Sequence, residues 1–270
     1  MVIRSLLQSA ALARLDAEVL LSHVLGIDRA RLLFQYNEVA TPEVVAAFSA
    51  LAEKCRAGCP VAYLVGEREF YGLPFFVTPD TLIPRPDTEL LVEWALPRAK
   101  GARLLDLCCG TGCIGLSIAA HGKPLSLTLA DISPAALSVA RKNASRLGLE
   151  AAFLELDILK EPLMGEYDCI VSNPPYIEDA TIESLSPSVR DFEPHLALSG
   201  GEDGLRFYPI LIEKACHALA SRGFLCLEIG YRQGEAVEKL MAPFFTEVTT
   251  HRDLAGNPRM VTGRKKPLKI

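Results

Sequence analysis

Apolar positions change their spacing partway along this chain. Over the first seventy or so residues they recur at intervals of three and four. Leu12, Leu15, Val19, Leu20 and Val24 have Arg14, Asp16 and Glu18 between them, the pattern of a helix with one apolar face. Thr41-Pro42-Glu43 opens another helix, since Thr41 can cap it and Pro42 suits its first turn. That run continues through Val45, Phe48, Leu51 and Ala52 to Gly58, and Arg29 to Phe34 predicts a short helix before it. From Phe75 to Pro86, β-type residues broken by Thr78-Pro79-Asp80 predict a hairpin, and Leu90 to Ala95 predicts a helix.

Beyond this point short continuous apolar runs alternate with helical stretches. Strands are predicted over 102–107, 125–130, 152–156, 167–172 and 223–229, and helices over 112–121, 134–147, 205–221 and 233–241. Apolar strands separated by helices imply a parallel sheet covered on both faces. Two last strands, Phe245 to Arg252 and Arg259 to Arg264, are joined by Asp253-Leu254-Ala255-Gly256-Asn257-Pro258. A helical crossover does not fit there, so this pair should be antiparallel. The expected organisation is a helical domain over 1–70, a β-hairpin linker over 71–88 and an α/β domain over 89–270.

Half of the 270 residues are apolar and the net charge is -5, with a pI near 5.6. That balance argues against a strongly electrostatic nucleic-acid binder. Most of the eight cysteines lie in apolar runs such as Leu107-Cys108-Cys109, where buried free thiols are expected. Cys55 and Cys59 have no second Cys or His pair at zinc-site spacing, so no metal is expected. Met1 to Gln8 lacks a signal peptide's apolar stretch, and no run approaches the ~20 apolar residues of a membrane span. A soluble, cytoplasmic, reduced protein is expected.

The candidate chemistry gathers at strand ends. The first α/β strand runs into Asp106-Leu107-Cys108-Cys109-Gly110-Thr111-Gly112-Cys113-Ile114-Gly115, a glycine-containing turn that lets a ligand approach the backbone. Gly110, Gly112 and Gly115 fit the dinucleotide fingerprint, a weak signal by itself. Asp106 stands before the glycines, placed for a cationic or amino-bearing ligand rather than a pyrophosphate. The second strand ends at Asp131-Ile132, where a carboxylate can accept both hydroxyls of a ribose, and Asp157-Ile158 closes the third. Each acid has a plainer reading as a cap or a structural carboxylate, but three at successive strand ends beside one glycine loop favour a nucleoside-type ligand. The fourth strand hands over to Asn173-Pro174-Pro175-Tyr176. Its prolines fix the backbone and lack N–H groups, leaving a rigid rim with an amide, free carbonyls and an aromatic face. Such a rim suits a planar substrate bearing an NH2 group; alone, it fits a strand-ending turn equally well.

Together, the glycine loop, the acids ending strands two and three, and the Asn-Pro-Pro-Tyr ending strand four resemble a class I S-adenosylmethionine-dependent methyltransferase. Within that class the chain resembles the release-factor glutamine methyltransferases, the HemK or PrmC family. The likeness spans the helical start, Thr81-Leu82-Ile83-Pro84-Arg85-Pro86-Asp87-Thr88-Glu89, Arg190 to Leu198, Gly201-Glu202-Asp203-Gly204-Leu205 and Leu227-Glu228-Ile229-Gly230. Cys108 departs from it, standing where many class members carry a glycine. The resemblance implies a Rossmann-like, mostly parallel seven-stranded sheet with an antiparallel C-terminal hairpin. It implies transfer of a methyl group from S-adenosyl-L-methionine, leaving S-adenosyl-L-homocysteine, to the glutamine side-chain nitrogen of the Gly-Gly-Gln motif in peptide chain release factors.

By the same resemblance Asp106, Cys108, Cys109, Gly110, Thr111, Gly112, Asp131, Ile132, Asp157, Ile158 and Asn173 contact the cofactor. Asn173 and the Pro174 carbonyl accept the amide hydrogens, with Pro175 and Tyr176 completing the catalytic rim and Tyr176 packing on the amide. Arg85 and Glu193 flank the mouth as substrate-binding candidates or as a structural ion pair. A monomer binding neither nucleic acid nor membrane is expected. The rival readings are a nucleic-acid methyltransferase acting on adenine N6 or guanine N2, a silent cofactor-binding module, and a nicotinamide dehydrogenase. The acidic balance counts against the first, and the Asn-Pro-Pro-Tyr rim against the other two.

Overall fold

Residues 1–267 are described by a computed structural model of the chain. Contacts gather in two units, Met1–Glu67 with Ser186–Phe192, and Arg68–Leu185 with the chain from Glu193 onward. The first unit contains α1 (Ile3–Ser9), α2 (Arg14–Leu25), α3 (Arg29–Phe34), α4 (Pro42–Arg56) and α5 (Val61–Val65). Thr41 caps α4, its hydroxyl accepting the Val44 N–H with Pro42 in the first turn, and Gly26 ends α2 in the left-handed conformation. The buried face of α2 is rotated from the expected one. Ala17, Leu20 and Leu21 are buried while Leu15 is exposed, because Glu18 occupies the inner face. Its carboxylate accepts from Tyr36 Oη at 2.6 Å, Arg14 Nε at 2.7 Å and Arg29 at 2.9 Å. The Tyr36 bond first, then Arg14, holds the Glu18 pKa down at about 2.

The second unit opens at Arg68, within β1 (Glu67–Phe70), and β2 (Leu73–Phe76) follows, so the hairpin lies ahead of the expected 75–86. Tyr71 and Gly72 both have positive φ, the signature of a tight two-residue hairpin turn. Downstream, Pro79, Pro84 and Pro86 cannot donate to a ladder. The hairpin also belongs to the α/β unit rather than standing as a separate linker, and 186–192 joins the helical unit.

The chain continues through α6 (Glu89–Ala99), β3 (Arg103–Leu107), α7 (Cys113–Gly122), β4 (Ser126–Asp131), α8 (Pro134–Leu147), β5 (Ala152–Glu155) and β6 (Tyr167–Ser172). Then come the short α9 (Asp179–Ile182) and α10 (Pro187–Arg190), α11 (Tyr208–Ala218), β7 (Leu219–Glu228), α12 (Gly234–Met241), β8 (Phe245–Arg252) and β9 (Pro258–Lys265). The strands form one seven-stranded sheet, ordered β5-β4-β3-β6-β7-β9-β8. The first five run parallel, and β9 pairs antiparallel with both β7 and β8. The largely buried Met260-Val261-Thr262-Gly263 run takes β9 inside, leaving the more exposed β8 at the edge. This is the mostly parallel sheet with an antiparallel C-terminal pair that the resemblance implies.

Strand alternation divides the core between two faces. Leu104, Val171 and Cys226 pack with α6, α7 and α8 residues; Leu105, Leu107, Ile170 and Leu227 pack with α11 and α12 residues. Among the described residues no helix is long and apolar enough to cross a membrane.

Glu18 generates a pH-dependent prediction. Its folded pKa lies below the ordinary 4.5, so its stabilisation is full above that value and disappears as pH falls towards about 2. Glu18→Gln should therefore weaken the helical unit at pH 7. Amide hydrogen exchange of α2 should show the difference from the native chain shrinking as pH drops through that window.

Candidate active site

Strands β3, β4, β5 and β6 all point their carboxyl ends at one cavity of about 800 Å3. Leu107, Cys108, Cys109, Gly110, Thr111, Asp131, Ile132, Asp157, Ile158, Asn173, Pro175 and Arg85 line it. Asp106, Gly112, Pro174, Tyr176 and Glu193 lie outside that lining.

The alternation of β3 explains Asp106. Leu105 and Leu107 face α11 and α12, which turns Asp106 towards α7 and beneath the loop. Fully buried, it accepts the Gly115 N–H at 2.9 Å through Oδ2, while Oδ1 has no partner. Burial pushes its pKa up to about 7, against the pull of the Gly115 bond. Asp106 is thus a strut beneath the loop, set back from the cavity rather than reaching into it as the sequence suggested.

The loop itself turns through positive φ at Cys108, Gly110 and Gly112. A side chain at Gly110 would meet no protein atom within 4 Å, and Gly110 lines the cavity, so its lack of one keeps backbone open to a ligand. Cys108 adopts the same left-handed region as a non-glycine residue, at φ 57°. Asp131 lines the cavity and also braces the loop, accepting Gly110 N–H and Ser133 N–H at 2.9 Å each. Burial raises its pKa, the backbone bonds opposing. Asp157 pairs with Lys160 at 2.9 Å and accepts the Leu159 N–H, which hold its pKa down. Lys214 donates to the carbonyls of Ile158 and Glu161, at 2.6 Å each, fixing the loop that carries Ile158.

Arg85 and Glu193 form an ion pair. The buried Glu193 also accepts the Ile83 N–H at 3.1 Å, so it holds the loop through which Arg85 reaches the cavity.

The rim after β6 is locked from behind. Gln233 Nε2 donates to the carbonyls of Tyr176 at 3.0 Å and Gly204 at 3.1 Å, and its Oε1 accepts the Gly230 N–H at 2.8 Å. Gly204 has to be glycine here, because a Cβ would stand 2.5 Å from the Tyr176 carbonyl oxygen in a positive-φ conformation. Ser172 Oγ donates to the Leu107 carbonyl at 2.8 Å, tying β6 to β3 where the ladder ends. Tyr176 Oη donates to Glu228 at 3.1 Å, and burial pushes the pKa of each of the two up, Glu228 to about 7. Asn173 Nδ2 donates to Thr88 Oγ1 at 3.4 Å. Among the described residues no hydrogen bond reaches Asn173 Oδ1 or the Pro174 carbonyl.

Sequence reasoning passed over Gln233, Thr88 and Asn143. Asn143 Nδ2 donates to the carbonyls of Phe76 and Thr111 at 3.0 Å, and Oδ1 accepts Phe76 N–H at 2.7 Å, stitching β2 to the glycine loop. Its signal was available. It sits at helical spacing from Ala136 and Ala140 on the buried face of α8, where an unpaired amide would be costly.

Residues 86–187 match the Methyltransferase small domain, and residues 2–66 match the PrmC N-terminal domain. The chain is 41% identical over 255 residues to the release factor glutamine methyltransferase of Geobacter sulfurreducens, covering 93% of this chain and 89% of that one. To the Escherichia coli protein of the same name it is 40% identical, covering 96% and 95%. The chain belongs to the release factor glutamine methyltransferase family. The chain also superposes on a Pyrococcus furiosus methyltransferase with a TM-score of 0.58, over 81% of this chain and 99% of that one. At 18% identity that likeness shows the fold.

Two measurements test how this family member holds its loops. Gln233→Met keeps the side-chain length but strands three polar groups, so urea denaturation should show a loss of about 2–3 kcal/mol. Asp106 carries a raised folded pKa, so its burial costs nothing below the ordinary 3.8 and progressively more as pH rises to about 7. Asp106→Asn should therefore gain stability relative to the ligand-free native chain as pH rises through that window, measured by denaturation at pH 4 and pH 8.

Proposed function

We propose that this chain transfers a methyl group from S-adenosyl-L-methionine to the side-chain amide nitrogen of the glutamine in the Gly-Gly-Gln motif of peptide chain release factors. Asn173 and Pro174 are the groups that hold this nitrogen. The observation that carries the reading is the rim: Asn173 lines the cavity with its NH2 bonded to Thr88, and among the described residues no hydrogen bond reaches its Oδ1 or the carbonyl of Pro174, which follows it just outside the lining. Two acceptors on a stiff backbone match the two hydrogens of a primary amide.

The residues present suit the cofactor. Open backbone at Gly110, the Asp131 carboxylate for ribose hydroxyls, and Ile132, Leu156 and Ile158 against a flat base fit a nucleoside bearing an amino-acid tail. When bound, S-adenosyl-L-methionine would supply an electrophilic methyl group on a sulfonium, whose S–C bond breaks as the N–C bond forms, leaving S-adenosyl-L-homocysteine and one amide proton that passes to water. The protein's difficulty is that an amide lone pair is delocalised into its carbonyl and is a poor nucleophile. Asn173 Oδ1 and the Pro174 carbonyl fix both N–H vectors, turning the nitrogen towards the methyl and favouring the developing charge. Tyr176 stands just outside the cavity lining and steadies the rim through its bond to Glu228. Arg85 is a substrate contact at the mouth, and the N-terminal helices recognise the release factor. The enzyme works as a cytoplasmic monomer.

A nucleic-acid amine methyltransferase would use the same rim, but the relatives matched over nearly the whole chain are named for release factor glutamine. Incubation with labelled S-adenosyl-L-methionine and either a release factor or nucleic acid separates the two. Label is expected on the release factor's glutamine, and label on nucleic acid alone would overturn the reading. Asn173→Ala should leave cofactor binding by calorimetry nearly unchanged while kcat falls by about two orders of magnitude.

A further inference from the structure

A carboxamide has two ends of nearly equal size and opposite polarity. If Asn173 were turned over, its NH2 would face the NH2 of an incoming amide, donor against donor, and the rim would hold nothing. Something must therefore choose the orientation, and the prolines cannot, because they constrain the backbone and leave the last side-chain torsion free.

Behind Asn173 lies a buried chain of polar groups. Asn173 Nδ2 meets Thr88 Oγ1. Thr88 is 2% exposed, in the one-turn helix Pro86–Thr88, whose backbone is pinned by a bond from Thr88 N–H to the Arg85 carbonyl at 3.1 Å. Next to it stands Glu228, also 2% exposed, at the end of β7, with Tyr176 Oη donating to Oε1. Its Oε2 is buried and accepts no hydrogen bond among the described residues, an open acceptor whose charged form the Thr88 hydroxyl favours. A hydroxyl has one hydrogen. If a carboxylate takes it, the oxygen can only accept, and the group that donates to it must be the amide NH2.

We propose that Thr88 and Glu228 are positioning residues, a relay that turns the Asn173 amide so that Oδ1 faces the cavity. The proposal rests on the acceptor role given to Asn173 above. Around Glu228, Arg259 of β9 favours its charged form, while Asp87 beside Thr88 opposes it. The charge of Glu228 also raises the pKa values of the Tyr176 and Tyr208 phenols and of the Cys113 and Cys226 thiols. Burial dominates and places its titration near neutrality, at about 7. Glu228 is then charged, and the relay set, on the alkaline side.

The test compares Thr88→Val, Thr88→Ser and Glu228→Gln with Asn173→Ala, using the full-length enzyme and an intact release factor. For Thr88→Val, kcat should fall about tenfold or more. Its KM for the release factor and its Kd for S-adenosyl-L-methionine should stay within about threefold, and Thr88→Ser should restore most of the rate. In the native enzyme kcat should rise as pH passes through 7, and Glu228→Gln should flatten that rise. Native-like kcat in Thr88→Val, or no rescue by serine, overturns the relay. So does a fall in cofactor affinity and melting temperature that matches the fall in kcat, since that marks a merely structural pair. If Asn173→Ala itself retains full kcat, the acceptor reading has failed, and the relay with it.

Discussion

Where a parallel sheet ends, its last amides and carbonyls lose their ladder partners, and the working edge of this protein depends on what replaces them. Buried backbone polar groups are costly unless paired, yet a site that binds backbone-first needs some of them left free. The chain meets both demands with side chains placed behind the edge. Ser172 ties β6 to β3, Asp106 and Asp131 brace the glycine loop, Asn143 joins that loop to β2, and Gln233 takes up the rim's outgoing carbonyls. Among the described residues, Asn173 Oδ1 and the Pro174 carbonyl stay unclaimed after these bonds. Selectivity here comes from bonds made as much as from bonds withheld.

Two acids of this frame carry pKa values pushed up to about 7, and each is buried for a different reason. Asp106 is committed by strand alternation to the α7 face, where one N–H of the first helical turn is available to it. Glu228 ends β7 opposite Met260 of β9 and is closed in by Tyr176 and Tyr208. Neither has the opposite charge in direct contact that would restore an ordinary carboxylate. Burying a carboxyl this way costs stability at neutral pH.

The sheet and its covering helices were legible because their apolar runs are long and their periods distinct. The β6 strand matches its predicted limits, and the last two strands pair antiparallel because the five residues between them cannot carry a crossover. The hairpin was misplaced because the decisive signal, positive φ at Tyr71-Gly72, belongs to a turn whose first residue is not one that advertises it. The inner face of α2 was misread because Glu18 looks like a solvent residue until Tyr36 and two arginines are brought to it. Local pattern holds no record of such long-range partners.

The candidate site divides along the same line. Residues facing the cavity announce themselves as glycines, strand-terminal acids and a double proline, since each is unusual where it stands. Residues that make those features usable, such as Thr88, Asn143 and Gln233, are ordinary polar side chains whose work appears only once β2, α8 and α12 are folded against the sheet. Asp106 belongs to both groups: noticed for its position before the glycines, it proves to act from beneath them. A ligand-binding edge can thus be recognised from sequence by what it displays, while the Asn173 amide that lines it is bonded to Thr88, a group that displays nothing. That asymmetry follows from chemistry. Display needs particular residue types at particular spacings, whereas support needs only a donor or an acceptor of adequate reach.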